Sequence, residues 1–223
     1  AWNGTTKTKN TYFKNLVDSG TVTMVANWTV VDVTLPSVTK TGYSCGYATS
    51  STGTVTYEGG DGYTPSATTN NATLYVVCAP NTYTIGYTMN GGSNPSTKPT
   101  SGTYDADVQI SNPGSKTFTV NIDKNNTGAT VVASVTATQT FKGWTSTTVG
   151  SNAKTGTAAN PSTAWTGTNT KNTYFKNLRE SGTVTMVANW NSANATLPSV
   201  TKDGYSCKYN TKAFETRYAL VPN

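Results

Sequence analysis

Histidine is absent from this sequence, and charged side chains make up only 12% of its 223 residues. Without histidine the chain lacks the commonest general base and the commonest neutral metal ligand, and Ser–His–Asp or Cys–His catalysis within the chain is excluded. A glycosidase-like carboxylate pair needs two facing acids. Glu58 and Asp61 are close in sequence, but they flank Gly59-Gly60, which predicts a turn. The sequence therefore predicts a protein that is not an enzyme and holds no cofactor or metal.

Long apolar runs are also absent. No segment reaches the roughly 18 apolar residues that a membrane helix needs, and no signal peptide is recognisable. Because the sequence opens inside a repeat, a leader and an anchor are expected outside these residues. The net charge of +6 favours either anionic partners, such as wall polymers or acidic glycans, or a solvated basic surface, since the lysines are spread along the chain. No basic–aromatic motif indicates nucleic acid as a partner.

The sequence does contain short runs in which polar and apolar residues alternate. Such runs, typical of half-buried strands, lie at Thr21–Ala26, Thr82–Tyr87 and Lys116–Ile122. Turns with positive φ are predicted at Asn90-Gly-Gly92 and Asn126-Thr-Gly128. The second turn predicts a hairpin between residues 117–122 and 130–135. Helix is scarce, with one short helical turn predicted around residues 172–179.

The chain repeats itself with a spacing of 162 residues. The matching segments are Thr11–Leu16 with Thr173–Leu178, Ser19–Trp28 with Ser181–Trp190, Thr34–Lys40 with Thr196–Lys202, and Gly42–Cys45 with Gly204–Cys207. This spacing predicts a tandem array of alternating large and small units. The predicted parts are 1–28, the end of a large unit; 29–80, a small unit; 81–190, a complete large unit; and 191–223, the start of a small unit or an abbreviated one.

Four motifs in this array point to a family. They are the strand and turn Tyr83–Gly92, the Phe-x-Gly-Trp motif Phe141–Trp144, the closing motif Lys176–Leu178 followed by Gly182–Trp190, and the Leu-Pro-x-x-Thr-x-x-Gly-Tyr motif Leu35–Tyr43. In this order they resemble the Listeria–Bacteroides repeat, also called the internalin B-repeat. The resemblance implies a mainly β fold of tandem small antiparallel, β-grasp-like modules with little helix, on secreted bacterial surface proteins and without catalytic residues. Extra sequence at Thr117–Thr140 departs from the family and predicts an inserted hairpin.

The cysteines depart from the family in an informative way. Cys45 and Cys78 stand where the family has Phe and Trp, and those two side chains would pack together in an ordinary module. The resemblance therefore implies a Cys45–Cys78 disulfide, which a unit with a small core needs and which belongs to an oxidising, extracellular setting. The alternative is two unpaired buried thiols. Cys207 repeats Cys45, but the tail Tyr218–Asn223 resembles Tyr75–Asn81 without its cysteine. Cys207 is therefore free, paired outside these residues, or paired between molecules.

Other candidate sites favour structural interpretations. Asp105-x-Asp107 and Asp123–Gly128 carry oxygen ligands at calcium-like spacing, but the second lies in a predicted turn. A Lys–Asn isopeptide bond would need a buried lysine, a buried asparagine and a neighbouring acid, and the sequence singles out no such acid. Core packing, rather than stacking on sugars, is predicted for the tryptophans, which are Trp2, Trp28, Trp144, Trp165 and Trp190.

These observations predict a non-catalytic structural repeat at the bacterial cell surface. In this hypothesis the repeats form the stalk of an adhesin, each unit adds length, and the disulfide resists unfolding. The partners are then neighbouring repeats of the same chain. The alternatives are a subunit of an extracellular filament or sheath, in which strand edges or Cys207 join chains by self-association, and a module that binds an anionic glycan or wall polymer.

Overall fold

The computed structural model describes residues 3–66, 71–122, 130–209 and 221–222. All regular structure in these residues is β-strand, which confirms the mainly β prediction. The described part of the chain contains no helix that is long and apolar enough to cross a membrane. Two compact units are distinguished, unit 1 with Ala1–Lys40 and Ser44–Ala79 and unit 2 with Thr41–Tyr43 and Pro80–Asn223. The four-part division of the repeat stays a prediction.

Unit 1 is built on two small sheets. Its strands are β1 (Val33–Thr34), β2 (Tyr43–Ala48) without its first residue, β3 (Gly62–Tyr63), and β4 (Tyr75–Pro80) without its last residue. Strand β1 pairs with β3, and β2 pairs with β4. Among its described residues the buried apolar side chains are Leu35, Tyr47 and Ala48. The phenol of Tyr47 donates a hydrogen bond of 2.8 Å to the carbonyl oxygen of Pro36. The core of this unit is therefore small.

Unit 2 contains the larger core. Its strands are β5 (Thr82–Thr88), β6 (Ser101–Thr103), β7 (Asp107–Gln109), β8 (Lys116–Asn121), β9 (Ser134–Gln139), β10 (Phe141–Thr145), β11 (Lys154–Gly156), β12 (Thr163–Ala164), β13 (Tyr174–Lys176), β14 (Gly182–Trp190), β15 (Tyr205–Ser206) and β16 (Val221–Pro222). Two four-stranded sheets have the orders β10–β14–β5–β6 and β12–β11–β13–β7. The pairs β8–β9 and β15–β16 stand as two-stranded sheets.

Strand β14 is the central element of the first sheet. Its alternation places Val184, Met186 and Ala188 in the core. It pairs antiparallel with β10 but parallel with β5, from Gly182 opposite Tyr83 to Val187 opposite Thr88. The parallel pair differs from the antiparallel modules that we predicted. Parallel neighbours require a long crossover, and the segment from β6 to β13 supplies it.

The Phe-x-Gly-Trp motif lies in β10, and the geometry of this strand explains why its two aromatic residues are three positions apart. In a regular strand, Phe141 and Trp144 would point to opposite faces. The register shifts between Phe141 and Gly143, which is the signature of a β-bulge, and the shift turns both rings into the core. Their ring centroids lie 5.3 Å apart in an edge-to-face contact. The motif thus delivers two aromatic side chains to one face of a short strand.

The predicted turn at residues 90–92 is confirmed. Asn90 and Gly91 have φ values of 49° and 80°, and the N–H of Gly92 donates to the carbonyl of Met89 at 3.0 Å. Two consecutive positive φ values are the geometry that Asn-Gly favours. A Cβ at Gly92 would lie 1.7 Å from the ring of Trp190, so only glycine fits beneath this ring.

Two other local predictions are wrong and one is confirmed. Residues 172–179 contain strand β13, not a helical turn, because Phe175 pairs with both β7 and β11. Residues 21–26 form no strand. The predicted inserted hairpin is present as β8–β9, although its second strand begins later than expected, at Ser134. Its predicted turn at residues 126–128 lies outside the described residues.

Candidate functional site

The predicted disulfide joins the two strands of the β2–β4 sheet. Cys45 and Cys78 are bonded, with their Cα atoms 4.1 Å apart. In unit 2, Phe141 and Trp190 face each other across β10 and β14, with ring centroids 5.8 Å apart. Each pair thus joins two neighbouring strands of its sheet, the cysteines through a covalent bond and the aromatic rings through packing.

Cys207 comes directly after strand β15, which belongs to a two-stranded sheet. Strand β15 pairs with β16, with Tyr205 opposite Pro222, as β2 pairs with β4. This pairing agrees with the predicted likeness between the tail and residues 75–81. Cys207 is half-buried and forms no disulfide with a described residue of this chain. The choice between a free thiol and a pairing with a residue outside this chain stays a prediction.

Glu58 and Asp61, which flank Gly59-Gly60, are hydrogen-bonded to each other across a turn. The carboxylate of Asp61 accepts a hydrogen bond of 2.7 Å from the N–H of Glu58. The N–H of Asp61 in turn donates to the carbonyl of Glu58 at 3.2 Å. Asp61 therefore closes the Gly59-Gly60 turn, which agrees with the structural interpretation of these two acids.

A second acid, Asp105, is the centre of a polar cluster. The phenol of Tyr43 donates to Asp105 Oδ2 at 2.7 Å, and Asn177 Nδ2 donates to Asp105 Oδ1 at 3.1 Å. Asn177 Oδ1 accepts from the N–H of Asp105 at 2.6 Å. The hydrogen bond to Asp105, with burial and the charge of Asp105 adding to it, raises the pKa of Tyr43, so the phenol remains a donor. The ring of Tyr104 completes the cluster by an edge contact with Tyr43.

The two acids of the calcium-like motif Asp105-x-Asp107 bind other groups of the protein. Asp107, the neighbour of Asp105 in the calcium-like motif, accepts from the N–H of Asn160 at 2.6 Å and lies 3.8 Å from Lys176. Within the described ranges no group of three or more His, Cys, Asp or Glu side chains converges as metal ligands. The Asp123–Gly128 motif lies outside the described residues. Asn177 is buried beside an acid, but no lysine is among the buried polar residues that the structure describes.

Removal of the Asp105 carboxylate is expected to lower the free energy of unfolding of unit 2 by about 1–2 kcal/mol. Two hydrogen bonds to a charged acceptor are lost, and the buried amide of Asn177 loses a partner. Glycine is the appropriate replacement, because Asp105 has a φ of 62°. Denaturant unfolding of Asp105→Gly measures the loss. Asn160→Gly is the matched control, since Asn160 is likewise exposed and has a φ of 62° but carries no carboxylate; equal losses in the two variants would contradict the role of the carboxylate.

The tryptophans divide into core and surface residues. Trp144 and Trp165 are buried, and the ring of Trp190 packs on the core with its N–H donating to the carbonyl of Met89 at 3.0 Å. The core prediction is confirmed for these three. It is wrong for Trp28, which is 82% exposed. Trp2 lies outside the described residues.

The exposure of Trp28 belongs to a longer exposed stretch. We call residues 8–28 closing segment A and residues 170–190, which contain β13 and β14, closing segment B. The two are identical in sequence except that Val17 and Asp18 replace Arg179 and Glu180. Met186 in segment B is fully buried, whereas Met24 in segment A is 50% exposed. Identical sequences predict identical burial, so this contrast could not be predicted from the sequence.

Comparison of the chain with protein-family models, with curated proteins and with solved structures finds no match in any of the three.

Proposed function

We propose that this chain is a non-catalytic, extracellular structural repeat from the stalk of a bacterial surface adhesin. The observation that carries the proposal is the repetition itself. The large unit is folded around its own core, and the sequence that closes it is also found before the small unit, 162 residues earlier. Units that repeat in this way build length by addition.

The disulfide supports the extracellular part of the proposal. Disulfides persist in oxidising compartments and are rare in the cytosol. The Cys45–Cys78 bond holds the unit that has few buried apolar side chains. The likeness of the four sequence motifs to the Listeria–Bacteroides repeat, with its β-grasp-like modules, is part of the same proposal. The partners of the chain are then neighbouring repeats, and a soluble ligand is not required.

One observation favours a second candidate, a subunit of an extracellular filament. Large apolar side chains of closing segment A are exposed, and exposed apolar surface promotes association between chains. Cys207 supplies a thiol that would make such an association covalent.

Electron microscopy of the native material under non-reducing conditions separates the two candidates. The stalk proposal expects thin beaded fibres, each rooted in a cell envelope. Long ordered filaments with a fixed subunit spacing would overturn it in favour of polymerisation. A non-reducing gel of the wild-type chain beside Cys207→Ala tests the covalent form, because only the wild type, with one free thiol per chain, would show a disulfide-linked dimer.

A further inference from the structure

We infer that closing segment A is a donor segment that completes a β-unit of the same kind as unit 2. It would occupy the position between strands equivalent to β5 and β10, and its partner is an opening half with the sequence pattern of residues 82–164. This inference rests on the proposed function, because it names the contact through which one repeat is completed by residues of another part of the array.

The side chains needed for this contact are already present in segment A. In unit 2 the buried apolar side chains of segment B are Phe175, Leu178, Val184, Met186 and Ala188. Their counterparts in segment A are Phe13, Leu16, Val22, Met24 and Ala26. All five counterparts lie in the exposed class. Segment A therefore carries a complete copy of a core-forming surface that is not buried in this structure.

The backbone of segment A shares the special conformations of segment B. Asn15 has a φ of 54°, and its counterpart Asn177 has a φ of 53°. Gly20 and Gly182 also both have positive φ, at 91° and 79°. In segment B these two residues lie at the start and the end of the connection between β13 and β14. The local geometry is therefore set by the sequence before any partner strand is bound, which lowers the ordering cost of docking.

The intact opening half of this chain is not the partner. In unit 2 the position between β5 and β10 is already filled by β14, which pairs with β5 over six residue pairs. Segment A would have to displace an identical strand, so the exchange would create no new contacts. The partner is therefore an opening half whose closing position is vacant.

Four full-length chains test the inference. Val184→Asp/Met186→Asp places two charges in the core and expels β14, which vacates the position in this chain. We expect this variant to stay folded around segment A, because residues 19–28 duplicate residues 181–190. Adding Val22→Asp/Met24→Asp should remove this rescue. Hydrogen exchange at the β5 amides is then expected to be roughly 100-fold slower in the first variant than in the chain with all four substitutions.

The control variant and the possible hydrogen-exchange results are as follows. Val22→Asp/Met24→Asp alone changes exposed residues and should exchange as slowly at β5 as the wild type. Equal exchange in the two β14 variants, whether both are protected or both are open, would overturn the inference, since segment A would then make no difference. Light scattering shows whether docking occurs within one chain or between two, and either result with protected β5 amides supports it. A failure here leaves the stalk proposal standing, because microscopy tests that separately.

Discussion

Removal of the Cys45–Cys78 disulfide is expected to unfold the small sheets of unit 1 under conditions in which unit 2 stays folded. The bond closes a loop with a sequence separation of 33. A loop of that length corresponds to a loss of about 3–4 kcal/mol in the free energy of unfolding when the bond is removed. Leu35, Tyr47 and Ala48 are the buried apolar side chains of the unit among its described residues. A core of this size contributes too little to the free energy of unfolding for the unit to stay folded after such a loss.

Hydrogen exchange of Cys45→Ala/Cys78→Ala measures the effect unit by unit. Amides of β2 and β4 should lose their protection, while those of β10 and β14 keep it. Cys207→Ala is the control, because this variant removes a thiol and leaves the disulfide in place. Retained protection of β2 and β4 in the double variant would show that packing alone holds the unit.

Met186→Ala is expected to destabilise unit 2 by about 2–5 kcal/mol, whereas Met24→Ala should change its stability by less than about 0.5 kcal/mol. The two methionines have the same neighbours in sequence but not in space. Met186 is fully buried between strands, and Met24 is half exposed. Truncation of the first leaves a cavity that the rigid sheet cannot close, and truncation of the second leaves none.

Urea unfolding followed by the fluorescence of the buried Trp144 and Trp165 provides the measurement. The pair is a strict comparison, because ten consecutive residues, Ser19–Trp28 and Ser181–Trp190, are identical. Similar losses in both variants would mean that segment A is packed in solution, contrary to the structure.

Local features of the fold could be predicted from the sequence because short-range chemistry determines them. The Asn90-Gly91 turn and strand β5 follow from turn residues and alternation, and the β8–β9 pair follows from one alternating run and the predicted turn after it. The disulfide came from the resemblance, in which Cys45 and Cys78 replace a packed pair. Each of these features depends on a few residues that can be recognised without knowing the rest of the chain.

Long-range pairing could not be predicted in the same way. Alternation marks β5 and β14 as strands, but it does not reveal that they run parallel across a long crossover. Residues 174–176 form β13 only because β7 and β11 flank them. The bonds between Asp105 and Asn177 join residues 72 positions apart. Closing segment A is the clearest case, because a strand sequence without flanking strands is exposed.

The disulfide also limits how far the small unit can be stretched. A chain under tension passes from Cys45 to Cys78 through the sulfur atoms, where the two Cα atoms lie 4.1 Å apart. The bypassed loop would otherwise add a contour length of about 110 Å when fully extended. After its sheets have opened, an oxidised small unit therefore extends only through the residues outside the loop. The redox state of the surroundings, and not the strength of the sheets, therefore decides whether the residues of this loop add to the length of a stretched chain.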